Sequence, residues 1–424
     1  MSSVASSQNT LKGMYLVSAS SKVPVQDATV QSEDLKFNAS SDRNGFISFK
    51  NLSAYTTKLT VSSIGYEPKT IDVSSFATTK LSTIIYLDAK ISSLEEVMVR
   101  ASSNNGTFKT ISDLDIHLRP INNSQEVLRM VPGLFIGQHA GGGKSEQIFL
   151  RGFDIDHGTD INLTVDGMPV NMVSHAHGQG YADLHWVIPE LIERINFNKG
   201  PYFADKGNFT TAGFVDFKTK NYLENNFLKV EGGQFSTFRG ITGINLLKPK
   251  GDRRSQSLYF AGEASFTQGY FESPQDFNRF NGILKYHGSI NNNSTLTATL
   301  TGFTSKWNAS GQIPDRAVES GMVGFYGAID DTEGGKTSRH NASIELLSNL
   351  NNGSVVRNQL FYSKYKFELY SNFTFFKEDP ANGDQIRQKE DRNILGYNGS
   401  YNKQFYLGNL KTETKAGIQL RYDD

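Results

Sequence analysis

The hydrophobic pattern of the chain changes once, near residue 220. From Asn226 onward, apolar and polar residues alternate over long stretches: Phe227–Gly233, Phe238–Ile244, Leu258–Thr267, Arg279–Ser289, Thr295–Trp307, His340–Ser348, Val355–Tyr370, Asn393–Gln404 and Leu410–Arg421. A period of two puts successive side chains on opposite faces, so each stretch predicts a strand. That makes about nine strands, most of them longer than the roughly 5–6 residues usual in soluble proteins. Tilted strands of about ten residues or more match the thickness of a bilayer. The connections Ile290–Ser294 and Asn349–Ser354 are short and rich in Asn or Gly, whereas Gln268–Asn278, Asn308–Ser338 and Ser371–Arg392 are long. Short turns on one side and long loops on the other predict an outer-membrane barrel; a soluble sandwich does not. The Lys/Arg-rich connection after Ile244 fits only if that strand runs further. An open sheet edge at Tyr422-Asp423-Asp424 cannot sit in lipid, so the expectation is a C-terminally truncated barrel with further strands to follow.

Before residue 220 the elements are shorter. Tyr15–Val17, Ala28–Gln31, Phe46–Phe49, Lys58–Ser62 and Ser82–Leu87 are short strands separated by turn clusters such as Asp42-Arg43-Asn44-Gly45, which predicts a small β-sandwich over residues 11–88. Residues 89–106 form a linker. Within it, Leu94-Glu95-Glu96-Val97-Met98-Val99 reads either as a segment that adds to the sheet edge of another protein or as a last strand with a polar tether. Residues 107–220 read as an α+β domain, with a short helix over Ser124–Met130 stopped by Pro132-Gly133, a second helical pattern over Asp183–Ile195, and strands at Ile195–Phe197 and Gly213–Lys218. At the centre lie two β-like runs, Gln147–Phe153 and Asp160–Val165, joined by an acidic turn. The second ends in Asp166-Gly167-Met168-Pro169, a strong turn signal. Residues 221–424 carry the long strands.

Composition narrows the function classes. The 424 residues hold 43 basic and 43 acidic side chains, so no basic footprint for nucleic acid exists. The absence of cysteine removes disulfides, thiolate zinc sites and cysteine nucleophiles. With 29 Phe, 18 Tyr and 39 Gly, the chain suits aromatic strands and polar turns. No run of about 18 apolar residues predicts a membrane helix, which says nothing against a barrel.

Two resemblances follow. The phrases Pro24-Val25-Gln26-Asp27-Ala28, Asp42-Arg43-Asn44-Gly45-Phe46 and Val61-Ser62-Ser63-Ile64-Gly65-Tyr66 resemble the noncatalytic carboxypeptidase-regulatory-like domain. Val131-Pro132-Gly133-Leu134, Ile148-Phe149-Leu150-Arg151-Gly152-Phe153, Thr164-Val165-Asp166-Gly167-Met168-Pro169-Val170 and Ile192-Glu193-Arg194-Ile195-Asn196-Phe197-Asn198-Lys199-Gly200-Pro201 resemble, in order, the plug motifs of TonB-dependent outer-membrane receptors of Bacteroidetes type. The resemblance implies a mainly β chain: sandwich, linker, α+β plug and the first part of an antiparallel transmembrane β-barrel. It implies a location in the cell outer membrane with the N-terminal domain in the periplasm. It also implies that Leu94–Val99 is a candidate TonB box, although that segment departs from the common acid-Thr-apolar form. The implied partners are TonB with its inner-membrane energising complex, outer-membrane lipid, and a siderophore, metal-chelate or glycan ligand. The chain is expected to be a transporter without cofactor, not an enzyme, importing a ferric siderophore or metal species. An oligosaccharide importer and a surface adhesin are the alternatives.

The candidate chemistry concentrates in two places. His175, His177 and His185 fall within Asn171–Trp186, and His157 lies in the acidic turn with Asp154, Asp156 and Asp160. Imidazole with carboxylate suits a transition metal, and His175 and His177 share a face if extended, so they are candidate metal ligands at a substrate-binding plug apex. The alternative is a set of histidines shaping a polar loop. Arg151, Glu193 and Arg194 are candidates to latch plug to barrel wall. Gln138–Ser145 nearly reads as a phosphate-binding loop, but Gln138 stands where the first Gly is required and a strand follows. Phe325, Tyr326, Phe373, Phe375 and Phe376 lie in long loops, where aromatics contact either ligand or the membrane interface.

Overall fold

The computed structural model describes residues 13–19, 24–34, 36–50, 52–53, 56–63, 66–73, 82–88, 109–112, 121, 125–138, 142–155, 159–249, 256–350, 352–407 and 410–424. The candidate box Leu94–Val99, the expected helix start Ser124, and Asp156 and His157 lie outside them. The chain divides into two compact units, Met1–Ala101 and Ser102–Asp424.

In the first unit, β1 (Gly13–Ser18), β2 (Thr29–Ser32), β3 (Asn38–Ser40), β4 (Phe46–Ser48), β5 (Lys58–Ser62), β6 (Lys69–Asp72) and β7 (Ser82–Leu87) form two sheets. One runs β4-β1-β7 and the other β3-β2-β5-β6. Alternation is direct: in β5, Leu59 and Val61 are buried while Lys58, Thr60 and Ser62 are exposed. They meet Met14, Leu16, Val30 and Ile47 in one core. Strands β3 and β6 escape sequence reading because each carries a single apolar residue, Ala39 or Ile71, and so shows no alternation.

The second unit contains an inner domain and a curved sheet around it. The inner domain comprises β8 (Lys109–Ser112), β9 (Leu134–Gly137), β10 (Gln147–Leu150), β11 (Phe153–Ile155), β12 (Ile161–Val165), β13 (Met168–Pro169), β14 (Asn171–Met172), β15 (Tyr181–Ala182), β16 (Ile192–Lys199) and β17 (Gly213–Thr219). They make a five-stranded sheet β13-β12-β17-β16-β8, a three-stranded sheet β11-β10-β9 and the pair β14-β15. Helix in the described part of this domain is confined to two short 3-10 turns, Glu126–Met130 and Pro189–Leu191.

Two expectations fail here for local reasons. The run Gln147–Phe153 is a hairpin, because Arg151 (φ 57) and Gly152 (φ 79) are both left-handed, the geometry of a two-residue type I′ turn. The helical pattern over Asp183–Ile195 resolves into loop, the 3-10 turn Pro189–Leu191 and the start of β16: a bulge between Ile192 and Arg194 inserts one residue, so Ile192 and Ile195 both point inward at a helix-like spacing of three.

The curved sheet runs in chain order: β18 (Phe227–Gly233), β19 (Thr237–Leu247), β20 (Gln256–Thr267), β21 (Phe277–Asn291), β22 (Ser294–Asn308), β23 (Gly334–Asn349), β24 (Ser354–Ser371), β25 (Ile386–Leu407) and β26 (Leu410–Asp423). Neighbours are antiparallel throughout. Its polarity is inverted relative to a soluble protein. Leu360 is 57% exposed while its neighbour Gln359 is 2% exposed. Leu300, Ile344, Leu395 and Leu420 face outward, whereas Arg239, Arg279, Lys285, Arg339 and Ser363 face the inner domain and are buried. An apolar outer face with a polar interior is what hydrocarbon outside and a filled lumen inside require.

Replacing Leu16 by Ala should cost the first unit about 2–5 kcal/mol, since it opens a cavity in a core of few residues. Urea unfolding should show that loss, with the heat-modifiable gel mobility of the long-strand sheet unchanged.

Candidate functional site

The inner domain is seated through the Asp166-Gly167 turn between β12 and β13. Asp166 (φ 49) and Gly167 (φ 80) form the two-residue turn that an Asp-Gly pair favours. The Asp166 carboxylate is buried. It accepts from the Thr219 hydroxyl (2.5 Å) and backbone N–H (3.1 Å), and Lys285 Nζ on β21 lies 3.2 Å away. Burial alone would raise its pKa, but Lys285, Lys218 and the Thr219 bonds hold it below the usual range. On the opposite side, Gln359 on β24 donates to the Asp166 carbonyl (2.7 Å) and Asn398 on β25 to the Gly167 carbonyl (2.9 Å). The φ at Gly167 favours glycine, and a Cβ there would lie 2.5 Å from Gln359 Oε1, so the Gln359 side chain would have to shift.

A charged cluster forms a second tie. Glu190, in the turn that the Pro189 ring opens, receives a two-pronged bond from Arg239 on β19, at 2.6 and 2.7 Å. Arg239 Nε reaches Glu263 on β20 (2.7 Å), and Glu263 also accepts from Arg279 on β21 (2.6 Å). Arg339 on β23 provides a third tie. It donates to the Pro169 and Val170 carbonyls (2.6 and 3.3 Å) and lies 4.9 Å over the Trp186 ring.

The sequence-derived latch residues are not the ones that make these three ties. Arg151 is an exposed turn residue, and Arg194 donates to its chain neighbour Glu193 (3.1 Å). Glu190, Arg239, Asp166, Lys285 and Arg339 were missed. The available signal was a charged residue at the inward register of an otherwise amphipathic strand, which marks Arg239, Lys285 and Arg339 but not their partners.

The histidines are dispersed by local geometry. His175 and Gly178 bond to each other across a tight turn (3.2 and 3.1 Å), so His175 and His177 are not extended and share no strand face. His175 stacks on Tyr181 with ring centroids 4.1 Å apart. Its Nδ1 accepts from the His177 backbone N–H (3.2 Å), which leaves Nε2 to donate to the Tyr365 hydroxyl (3.1 Å). Burial, with the charges of His177 and Arg392 nearby, lowers its pKa to about 3, so it is neutral and fully engaged. His177 is half-buried, its Nδ1 2.9 Å from Gln388 Oε1. Glu390 accepts from the Ala176 N–H (2.9 Å), and Arg392 donates to the Ser174 carbonyl (2.8 Å). His185 is buried deeper, 2.8 Å from Asp183. Asp160 is half-buried and accepts from Thr159 (3.0 Å), and Asp154 falls in β11. Among the described residues, no group of three His, Asp or Glu side chains is placed to hold a metal ion.

The loop that mimics a phosphate cradle has a packing explanation. A Cβ at Gly143 would fall 2.0 Å from the Trp307 ring, so the described part of this loop lies flat against an indole of β22.

The Glu190 tie is acid-sensitive. Burial would raise its carboxyl, but the Arg239 bonds and charge, with Lys229, bring it from 4.5 down to about 2. A lowered folded value means the stabilisation is complete above pH 4.5 and is lost as pH falls through about 2. Protease resistance of the inner domain in outer-membrane fractions should therefore hold from neutral pH to 4.5 and weaken below. Glu190→Gln should lower it at neutral pH and flatten the acid response, since breaking one side of a buried pair costs about 3–5 kcal/mol.

Comparison with known proteins agrees with this architecture. Residues 100–214 match the TonB-dependent Receptor Plug Domain family and residues 13–99 the CarboxypepD_reg-like domain family. The fold is similar to the unliganded ferric citrate transporter FecA (TM-score 0.60, 14% identity, 75% of this chain and 48% of that one). It is also similar to the siderophore receptor PirA from Acinetobacter baumannii (0.56, 16%, 74% and 48%) and to the copper transporter OprC (0.54, 14%, 74% and 46%). The chain thus spans about half the length of the solved structures it matches. The chain carries a plug domain of the TonB-dependent receptor type, seated against outward-apolar strands, and an N-terminal carboxypeptidase-regulatory-like domain, in a fold shared with solved outer-membrane receptors.

Proposed function

We propose that this receptor imports a scarce ligand, a ferric siderophore or other metal species, by energy coupling through TonB. The observation that carries the reading is the seating of the plug. It is held by a few discrete polar ties, the Asp166 turn, the Glu190 cluster and Arg339, against a lumen it fills. The outer membrane has no nucleotide supply, so breaking such ties needs a pull delivered from an energised partner. Leu94–Val99 is the proposed point of attachment, and the similar solved structures include receptors named for ferric citrate, siderophores and copper.

The ligand-facing surface we assign is the turn Ser174–Gly178 with Gln388, Glu390 and Arg392 on β25, on the side of the long loops Asn308–Gly334 and Ser371–Ile386. His177 is the member that presents a ring there, while His175 is part of the wall behind it. An oligosaccharide is the second reading. Exposed Phe325, Tyr326, Phe373 and Phe376 in the long loops offer rings on which sugars stack.

Two measurements test this. Expressed as the full-length protein in an outer membrane, the receptor should support growth on limiting iron, zinc or glycan, and deleting Leu94–Val99 should abolish that growth with ligand binding intact; unchanged uptake would remove the coupling claim. His177→Ala should weaken ligand affinity by about tenfold, the worth of one good polar contact. His175→Ala should instead lower plug stability, and if both variants bind as the parent does, the assigned surface is wrong.

A further inference from the structure

The barrel walls around the plug differ in how well they satisfy buried polar atoms. Among the described residues, buried atoms without a hydrogen-bond partner include Glu146 Oε2, Trp186 Nε1, Arg279 Nε, Asn281 Oδ1 and Ser305 Oγ. These five belong to one seam. Arg279 and Ser305 are paired across β21 and β22, and Asn281 is the next inward residue on β21. Asn281 Nδ2 donates to the His185 carbonyl (2.9 Å), which brings the plug segment 183–187 against this wall. His185 is also close enough to act on the Glu146 carboxyl. Trp186 faces Ile283, Thr299 and Thr301 across a narrow gap.

The wall formed by β23–β25 is different. Arg339 Nε donates to Asn341 Oδ1 (2.9 Å), and its two Nη atoms reach plug carbonyls. Ser363 donates to the same Asn341 oxygen (2.5 Å), and Gln359 and Asn398 reach the Asp166-Gly167 turn. None of the buried unpartnered atoms among the described residues comes from these three strands.

A buried polar atom without a partner costs free energy unless water reaches it. The seam offers N–H donors from Arg279 and Trp186, acceptors from Asn281 and Glu146, and a hydroxyl able to do both. That mixture suits water, which donates and accepts, better than an anion or a cation alone.

We propose that the seam between plug residues 183–187 and β21–β22 is a hydrated partition, and that it is the plane along which plug and barrel part to pass a hydrophilic solute. Only the second half of the proposal rests on the import reading.

The chain contains no cysteine, so introduced thiols report cleanly within it. The rows of paired residues order three positions by register: Ser305–Thr337–Phe367, then Thr301–Asn341–Ser363, then Thr299–Ser343–Phe361. Ser363 therefore lies between Ser305 and Thr299, and all three side chains are buried. Ser305→Cys, Thr299→Cys and Ser363→Cys would be made in the full-length receptor, with outer-membrane assembly checked by heat-modifiable mobility. Each would be reacted in cells with a small water-soluble methanethiosulfonate. The seam predicts that both Ser305→Cys and Thr299→Cys react at least about tenfold faster than Ser363→Cys in de-energised cells. It also predicts that energising the inner membrane raises only the two seam rates. Ser363→Cys reacting as fast as either would overturn the hydrated seam, because its register row lies between theirs and its side chain is equally buried. A resting difference that energisation leaves unchanged would overturn the parting plane. Loss of import on deleting Leu94–Val99 is read separately, so failure of the import reading leaves the resting comparison intact.

Discussion

The second unit depends on a charge that burial alone would not tolerate. Asp166 is out of water at the tip of a two-residue turn, and its carboxylate is held there by Thr219 and Lys218 from the plug and Lys285 from the barrel. Remove the barrel lysine and the buried anion loses its nearest cation, with Lys218 left 3.9 Å away; remove the aspartate and the barrel holds an uncompensated cation. The plug sheet and β21 therefore stabilise each other. Gln359 and Asn398 grip the turn's carbonyls from the opposite wall, and Gly167 leaves them room.

This constraint explains the inverted polarity of the long strands. Lipid on the outer face forbids charge there, while the plug inside brings carbonyls, carboxylates and turns that need donors. Barrel strands consequently carry Arg, Lys, Asn and Gln at inward positions and Leu, Ile and Phe at outward ones. The sheet's low mean hydropathy is the sum of two opposite faces, each chemically consistent.

Much of the fold was legible for the same reason. Period-two alternation survives wherever one face meets one environment, so the long strands and the sandwich strands with several apolar residues could be read directly. The Asp166-Gly167 turn was legible as turn chemistry. Legibility failed where local backbone geometry broke the period. The bulge at Ile192/Arg194 imitated a helix, and the left-handed Arg151-Gly152 pair hid a hairpin inside one apolar run. The histidine cluster was legible as composition only. Whether His175 and His177 face together depends on the turn closed by the His175–Gly178 bonds, and spacing does not encode that turn. The latch was half legible: inward charges on the strands could be marked, but Glu190 as partner of Arg239 depends on how the plug docks.

The two sides of the plug differ in how fully their buried polar atoms are partnered, and that difference bears on how the plug can move. From β23 to β26, Arg339, Gln359, Arg392, Asn398 and Arg421 donate to main-chain carbonyls between Asp166 and Ser174. Main-chain acceptors keep their positions as long as the plug stays folded, so this wall holds the plug as a shape. From β19 to β21, Arg239 and Lys285 hold the carboxylates of Glu190 and Asp166, while Asn281, Tyr259 and Lys285 also reach the His185, Lys220 and Thr219 carbonyls. Side-chain pairs of this type can part by rotamer change without unfolding either partner, and the adjoining atoms at Arg279, Asn281 and Ser305 lose nothing when water enters. A force applied at the N-terminal side of the plug would thus meet one wall whose strands, among the described residues, leave no buried polar atom unpartnered and one where water can take up donors and acceptors that already lack a partner. The second requires the smaller structural change, which is why motion is expected on the β19–β22 side while the β23–β26 side acts as the fixed frame.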